Sequence, residues 1–212
     1  MKNIPVFTTE HGVASLTLRE IPFSASAYIK LQATQDPSAL LEECVSFCIA
    51  CGAEAVFASG HAVAEQYPFH TAIVEMQCLV DTLPKTDACL FPVLPETAAK
   101  WRHLHNERMK DVPNTTFLTA LDEKNLVEAG DGYFVHKDGT LLGIGRASAD
   151  TIDLVISLQP GAGADIVSAL ASVLTTDAAR LTVASTNSRA VRLYEKLGFL
   201  AIRELSRWYR IR

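Results

Sequence analysis

N-S-R-A-V-R-L-Y-E-K-L-G-F, residues 187–199, decides the fold of this chain, because its small and polar residues predict one short helix held between two strands. Asn187 follows an apolar run at residues 180–185 and can cap a helix that starts at the next position. Ala190 keeps one helix face small enough for close packing. Tyr194 lies seven residues after Asn187, about two helical turns, so both side chains look towards one groove. Lys196 places a cation in the last turn, and Gly198 tolerates the positive φ that ends a helix before Phe199 enters a strand.

Upstream, T-I-D-L-V-I-S-L at residues 151–158 is apolar enough for a central strand. It runs into the turn Gln159-Pro160-Gly161-Ala162-Gly163, and a helix opens directly after, with Ile166, Val167, Leu170, Ala171 and Leu174 on one stripe. Further back, residues 132–136 and 141–147 form two strands joined by Lys137-Asp138-Gly139, whose Asp-Gly signals a tight hairpin. Before them come a strand at residues 90–94, a helix opened by Pro95-Glu96-Thr97 that carries Trp101, Leu104 and Met109, and a second helix near residues 116–128. Downstream, residues 199–211 form a last strand with Trp208 and Tyr209.

The first ninety residues predict a similar series. Residues 14–32 form a bent strand or a hairpin around Pro22. Asp36-Pro37-Ser38 starts a helix with Leu40, Leu41, Cys44, Val45, Cys48 and Ile49 on one face, stopped at Gly52, and strands follow at residues 53–59 and 71–80. A shift of 126 residues lays Leu40 on Ile166, Cys44 on Leu170, Cys48 on Leu174 and A-E-A-V-F-A-S (53–59) on A-R-L-T-V-A-S (179–185) without a gap. The expectation is a repeat: residues 1–89 as a degenerate copy beside an intact unit at residues 90–212.

The element order in residues 90–212, together with the N-x-x-A-x-x-L-Y-x-K-x-G-F spacing, resembles the GNAT superfamily of acetyl-coenzyme A-dependent N-acetyltransferases. The resemblance implies an α/β (α+β) fold with a mixed, mostly antiparallel central sheet flanked by helices. It implies acetyl-CoA as co-substrate, with no metal, and acetyl transfer to a primary amine of a small molecule or peptide by direct attack. In the family a tyrosine at the position of Tyr194 commonly protonates the departing thiolate. The family binds the cofactor at the glycine turn and the following motif, which here means Leu158, Gln159, Gly161, Ala162, Gly163, Ala164, Asn187 and Ala190. Asn187 reads equally well as a plain helix cap.

Two positions depart from the family pattern. Ala162 stands where a basic residue is usual, and Asp165 where a glycine is usual; Asp165 near a pyrophosphate would oppose its binding. The family's base is often a carboxylate near the central strand, for which Asp153 is the nearest candidate, with burial expected to raise its pKa. Glu75 is a more distant one. The competing functional reading is a catalytically inactive GNAT-like module that binds acyl-CoA or regulates.

Composition narrows the partners. The 212-residue chain has a net charge of -5 and a pI near 5.7, which argues against nucleic acid and anionic membranes as partners. A homodimer is left open. The N-terminus lacks a signal-peptide pattern and no run is long enough to span a bilayer, so the expected location is cytoplasmic. Cys44, Cys48 and Cys51 stand in C-x3-C-x2-C order, which resembles the cluster motif of radical S-adenosylmethionine enzymes. Their place on the stripe with Leu40, Leu41, Val45 and Ile49 instead reads as the core face of a helix. His103 and His105, two apart on a helix, face opposite ways and make no metal pair.

Overall fold

A computed structural model describes residues 5–212. In chain order its main elements are β1 (Val6–Thr9), β2 (Gly12–Thr17), α1 (Ile21–Ser24), β3 (Ser26–Thr34), α2 (Pro37–Ala50), β4 (Ala55–Ser59), β5 (Phe69–Leu79), β6 (Cys89–Pro92) and α3 (Pro95–Met109). There follow α4 (Ala120–Ala129), β7 (Gly132–Lys137), β8 (Thr140–Ser148), β9 (Thr151–Ser157), α5 (Gly163–Ala171), β10 (Ala178–Ala184), α6 (Ser188–Lys196) and β11 (Leu200–Arg210). None of the described helices is long and apolar enough to cross a membrane. The chain divides into two compact units, one of residues 5–73 with Glu204–Arg212 and one of Val74–Arg203. Residues 74–89 thus pack with the second unit and the last nine residues with the first.

In the first unit β1, β2 and β3 form an antiparallel meander, β4 lies parallel to β3, and the end of β11 pairs antiparallel with β4 through Tyr209–Ala58. The link from β3 to β4 is α2. The Asp36 carboxylate accepts from the Ala39 amide at 3.0 Å, Pro37 occupies the first turn, and Gly52 at φ 96° follows the end. Leu40, Cys44 and Cys48 are fully buried against Leu16, Ile29 and Val56. Burial pushes the Cys44 thiol up to about 11 and the Cys48 thiol up to about 12, so both act as small core hydrophobes. Pro22 does not bend a strand. It sits in the first turn of α1, where a missing N–H costs nothing, and α1 links β2 to β3.

In the second unit the strand order is β5-β10-β9-β8-β7-β6. β6 to β9 pair antiparallel, and β9 pairs parallel with β10 across the α5 crossover. Asp138 and Gly139 both adopt positive φ, 50° and 74°, as a two-residue hairpin turn requires. Two cores result. One joins α5 to the sheet through Ile166, Val167, Leu170, Ile152 and Leu181, with Tyr194, Leu197 and Phe199 from α6 and beyond. The other packs Trp101, Ala98 and Leu126 of α3 and α4 on Phe134, Ile144 and Ile156, with the Trp101 indole donating to the Tyr133 carbonyl at 3.1 Å. Gly143 permits the close approach of α5 to β8, since a Cβ there would strike the Ile156 carbonyl and come within 2.6 Å of Ile166.

The parallel pairs of the two units share a register. Ser26 pairs with Ala55 and Ile152 with Leu181, a separation of 29 residues each time. The first ladder continues for five pairs to Lys30–Ser59. The second holds only Thr151–Arg180 and Ile152–Leu181.

Candidate active site

Where the ladder between β9 and β10 stops, the strands part and a cavity of about 370 Å³ opens. One wall is the turn after β9 with α5 and α6: Gly161, Gly163, Asn187, Arg189, Ala190, Leu193 and Tyr194. The end of β9 supplies Val155, Ile156 and Ser157, and the C-terminus of α3 with the following loop supplies Arg108, Met109 and Val112. A cavity of this size suits a small-molecule site.

The turn is built for an anion. Gly161 holds φ 82°, and the N-cap position, Ala162, offers no side chain to the first-turn amides of α5. Those amides are the unpaired donors that every helix start leaves, and the helix dipole favours negative charge at them. A side chain at Gly163 would come within 2.6 Å of Leu193, so the glycine sets how closely α5 approaches α6. Arg189, in the first turn of α6, and Arg108 are both exposed and neither has an acidic partner among the described residues.

Asp165 does not face this site. Its carboxylate accepts from the Thr86 hydroxyl and, at 3.1 Å, from the Lys137 ammonium. Those hydrogen bonds, Thr86 first, hold its carboxyl below the usual value, and the bond that Lys137 donates to Asp165 holds Lys137 above its own. The expected conflict between Asp165 and a pyrophosphate is therefore absent: the charge is turned away and matched.

Tyr194 is 7% exposed, its ring 5.7 Å from that of Phe199, and burial pushes its hydroxyl up to about 12. The hydroxyl makes no hydrogen bond among the described residues, nor is it sealed from solvent; it opens to the cavity. Asn187 accepts from the Ala190 amide at 3.2 Å, the helix-cap geometry. Of the residues expected at the cofactor, Gly161, Gly163, Asn187 and Ala190 line the cavity. Leu158 packs against the α3 core, Ala162 is buried, and Gln159 and Ala164 lie outside the lining.

Asp153 is not buried. It projects from β9 as an exposed residue, between the buried Ile152 and the half-buried Leu154, and is not part of the cavity wall. The burial expected of it is therefore not found. Glu75 is engaged by Arg203 at 2.7 Å. Among the described residues, no carboxylate lines the cavity. His105 is buried and stacked on Trp101, with ring centroids 5.7 Å apart, and burial lowers its pKa.

The lining residues that sequence reasoning passed over are Arg108, Met109, Val112, Val155, Ile156, Ser157, Arg189 and Leu193. For Arg108 a signal exists: it lies seven residues after the buried Trp101, on the same face of α3, so a cation continues an apolar stripe past the end of the core.

No family model matches the sequence, and no curated protein matches it. Solved structures do. The chain is similar to a functionally unknown conserved protein from Staphylococcus epidermidis, with 11% identity and a TM-score of 0.62 over 99% of this chain and 94% of that one. It is similar to a GCN5-related N-acetyltransferase from Kribbella flavida, with 9% identity and a TM-score of 0.59 over 96% of this chain but 58% of that one. It also resembles a tandem GNAT protein from the clavulanic acid biosynthesis pathway, with 14% identity and a TM-score of 0.53 over 94% and 78%. The chain has a GNAT-like fold, a mixed α+β architecture around a mostly antiparallel sheet.

Proposed function

We propose that the chain is an acetyl-CoA-dependent N-acetyltransferase acting on a primary amine of a small molecule or peptide, with the reaction confined to the second unit. The observation that carries this reading is the joint placement of the α5 first-turn amides and the open Tyr194 hydroxyl on one wall of the cavity. The groups fit the co-substrate: unpaired amides and Arg189 for its phosphates, and the free edge of β9 near residues 154–157 for its amide-bearing arm.

Bound acetyl-CoA supplies the thioester, so that an amine attacking its carbonyl forms a C–N bond while the C–S bond breaks. The chain's own groups do the rest. Unpaired strand amides of β9 would polarise the carbonyl. Tyr194, kept protonated by burial, gives its proton to the departing thiolate and is reprotonated from solvent. With no carboxylate on the described cavity wall, water takes the proton from the ammonium of the acceptor.

A second reading is a module that holds acyl-CoA without transferring the acyl group, and the lack of a wall carboxylate is the observation that favours it. Calorimetric titration with acetyl-CoA, followed by assay of thiol release with an amine panel, separates them. The proposal expects binding in the roughly 1 μM to 1 mM range usual for enzyme substrates, and release that depends on an amine. Absence of binding sinks both readings. Binding without transfer to any amine leaves the module.

A further inference from the structure

The cavity also constrains the acceptor, an inference that rests on the acetyltransferase reading above. Its two walls belong to the two different cores of the second unit. The glycine turn, Arg189 and Tyr194 lie with α5 and α6, whose apolar residues join the core of Ile166 and Leu170. Arg108 comes from the other wall, at the end of α3, where the neighbouring Met109 packs against the core of Trp101 and Ile156. On α6, Arg189 stands one turn before Leu193, which touches Gly163 at the start of α5. Arg189 and the α5 amides thus form one anion-binding side, suited to the phosphates of the co-substrate. Arg108 is left on the α3 wall with no acidic partner among the described residues.

A polycationic acceptor, such as a polyamine, would meet two guanidinium groups and no carboxylate in this cavity. An acceptor with its own negative charge would meet an unpaired arginine, whose planar fork suits a carboxylate or a phosphate. The volume of about 370 Å³ must also hold the thioester arm, which leaves room for a small molecule. We infer that the acceptor is a small amine bearing a carboxylate or phosphate group, and that Arg108 is the residue that holds this group.

The test uses the full chain saturated with coenzyme A, titrated by calorimetry with glycine, glutamate and O-phosphoethanolamine, then with glycinamide, ethanolamine and spermidine. The amines that carry a carboxylate or phosphate are expected to bind at least about tenfold more tightly than their counterparts without one, the scale of one charge-assisted hydrogen bond. Glycine and glutamate against O-phosphoethanolamine decides between carboxylate and phosphate. Arg108→Ala and Arg108→Gln should abolish the preference while leaving acetyl-CoA affinity and the thermal midpoint in place. Tighter binding of spermidine, glycinamide or ethanolamine overturns the inference, as does binding by no member of the panel. A loss of acetyl-CoA affinity in the Arg108 variants also overturns it, by giving Arg108 to the co-substrate, and leaves the acetyltransferase reading standing. If wild-type protein fails to bind coenzyme A at all, it is the underlying reading that falls, and this inference with it.

Discussion

Removing one oxygen atom tests the chemistry most directly. Tyr194→Phe keeps the ring and its packing against Phe199, at a centroid distance of 5.7 Å, and deletes only a hydroxyl that has no hydrogen-bond partner among the described residues. Loss of an unpaired polar group from a nearly buried position should leave stability within about 1 kcal/mol of wild type. Activity should respond differently. If the hydroxyl is the proton donor to the thiolate, its removal should lower kcat by roughly 10²- to 10⁴-fold, the usual contribution of a positioned acid, while acetyl-CoA affinity stays within about twofold.

The pH dependence gives a second handle on the same residue. Its pKa is raised from 10.0 to about 12, so the folded state holds this proton more tightly than the unfolded chain. The stability tied to that proton is complete below about pH 10 and is lost as pH rises through about 12. Wild type should therefore lose stability in alkali that the Phe variant retains, and the wild-type rate should show no alkaline limb from Tyr194 below about pH 10. The assays are coenzyme A release at saturating acetyl-CoA with an accepted amine, and urea melts across pH. A variant with kcat within about twofold of wild type would refute the acid role.

Three further outcomes are expected. Gly143→Ala should destabilise the chain by about 1–3 kcal/mol in urea melts, because the new methyl meets the Ile156 carbonyl as well as Ile166; a shift below about 0.5 kcal/mol would show that β8 yields more easily than its packing implies. For Asp165 the folded pKa lies below its ordinary value of 3.8, so its contribution is present above that pH and fades as pH falls beneath it. The stability gap between wild type and Asp165→Asn should narrow in that acid range, and a gap independent of pH would contradict the Lys137 pairing. Of the five cysteines, Cys51 and Cys89 are exposed, while Cys44, Cys48 and Cys78 are buried with pKa values of about 11, about 12 and about 11. A thiol reagent at neutral pH should label two sites in the native chain and all five in denaturant; rapid native labelling of Cys44 or Cys48 would contradict the packing of α2.

What the sequence made legible was mostly local chemistry. The Asn187 cap, the Gly198 stop, the Asp138-Gly139 turn and the Asp36-Pro37 helix start each depend on residues within one turn of one another, and each stands where expected. The burial expected of Asp153 is not found because an apolar strand need not be buried on both faces: Ile152 and Ile156 point into cores and Asp153 is exposed. Asp165 was illegible for another reason: its direction is set by Thr86 and Lys137, 79 and 28 residues away in the chain. For Arg108 the helical spacing from Trp101 gives its face of α3, but that this face meets a cavity depends on α3 ending beside the parted strands, a fact of packing.

The shared register of the two parallel pairs bears on the origin and division of labour within the chain. In both units a strand, a crossover helix and a parallel strand bring together residues 29 apart, and the helices align at the 126-residue shift that also aligns Leu40 with Ile166. What differs is the start of the helix. In the first unit Asp36 fills it with a carboxylate that takes up the Ala39 amide, Pro37 removes a donor, and the ladder runs on for five pairs. In the second unit the cap position is an alanine, a glycine follows, and the ladder stops after two pairs. A common register with opposite treatment of the same helix terminus is what duplication followed by loss of one anion site would leave. We propose from it that residues 1–89 include a degenerate copy, in which a helix start occupied by its own carboxylate would leave no place for a phosphate.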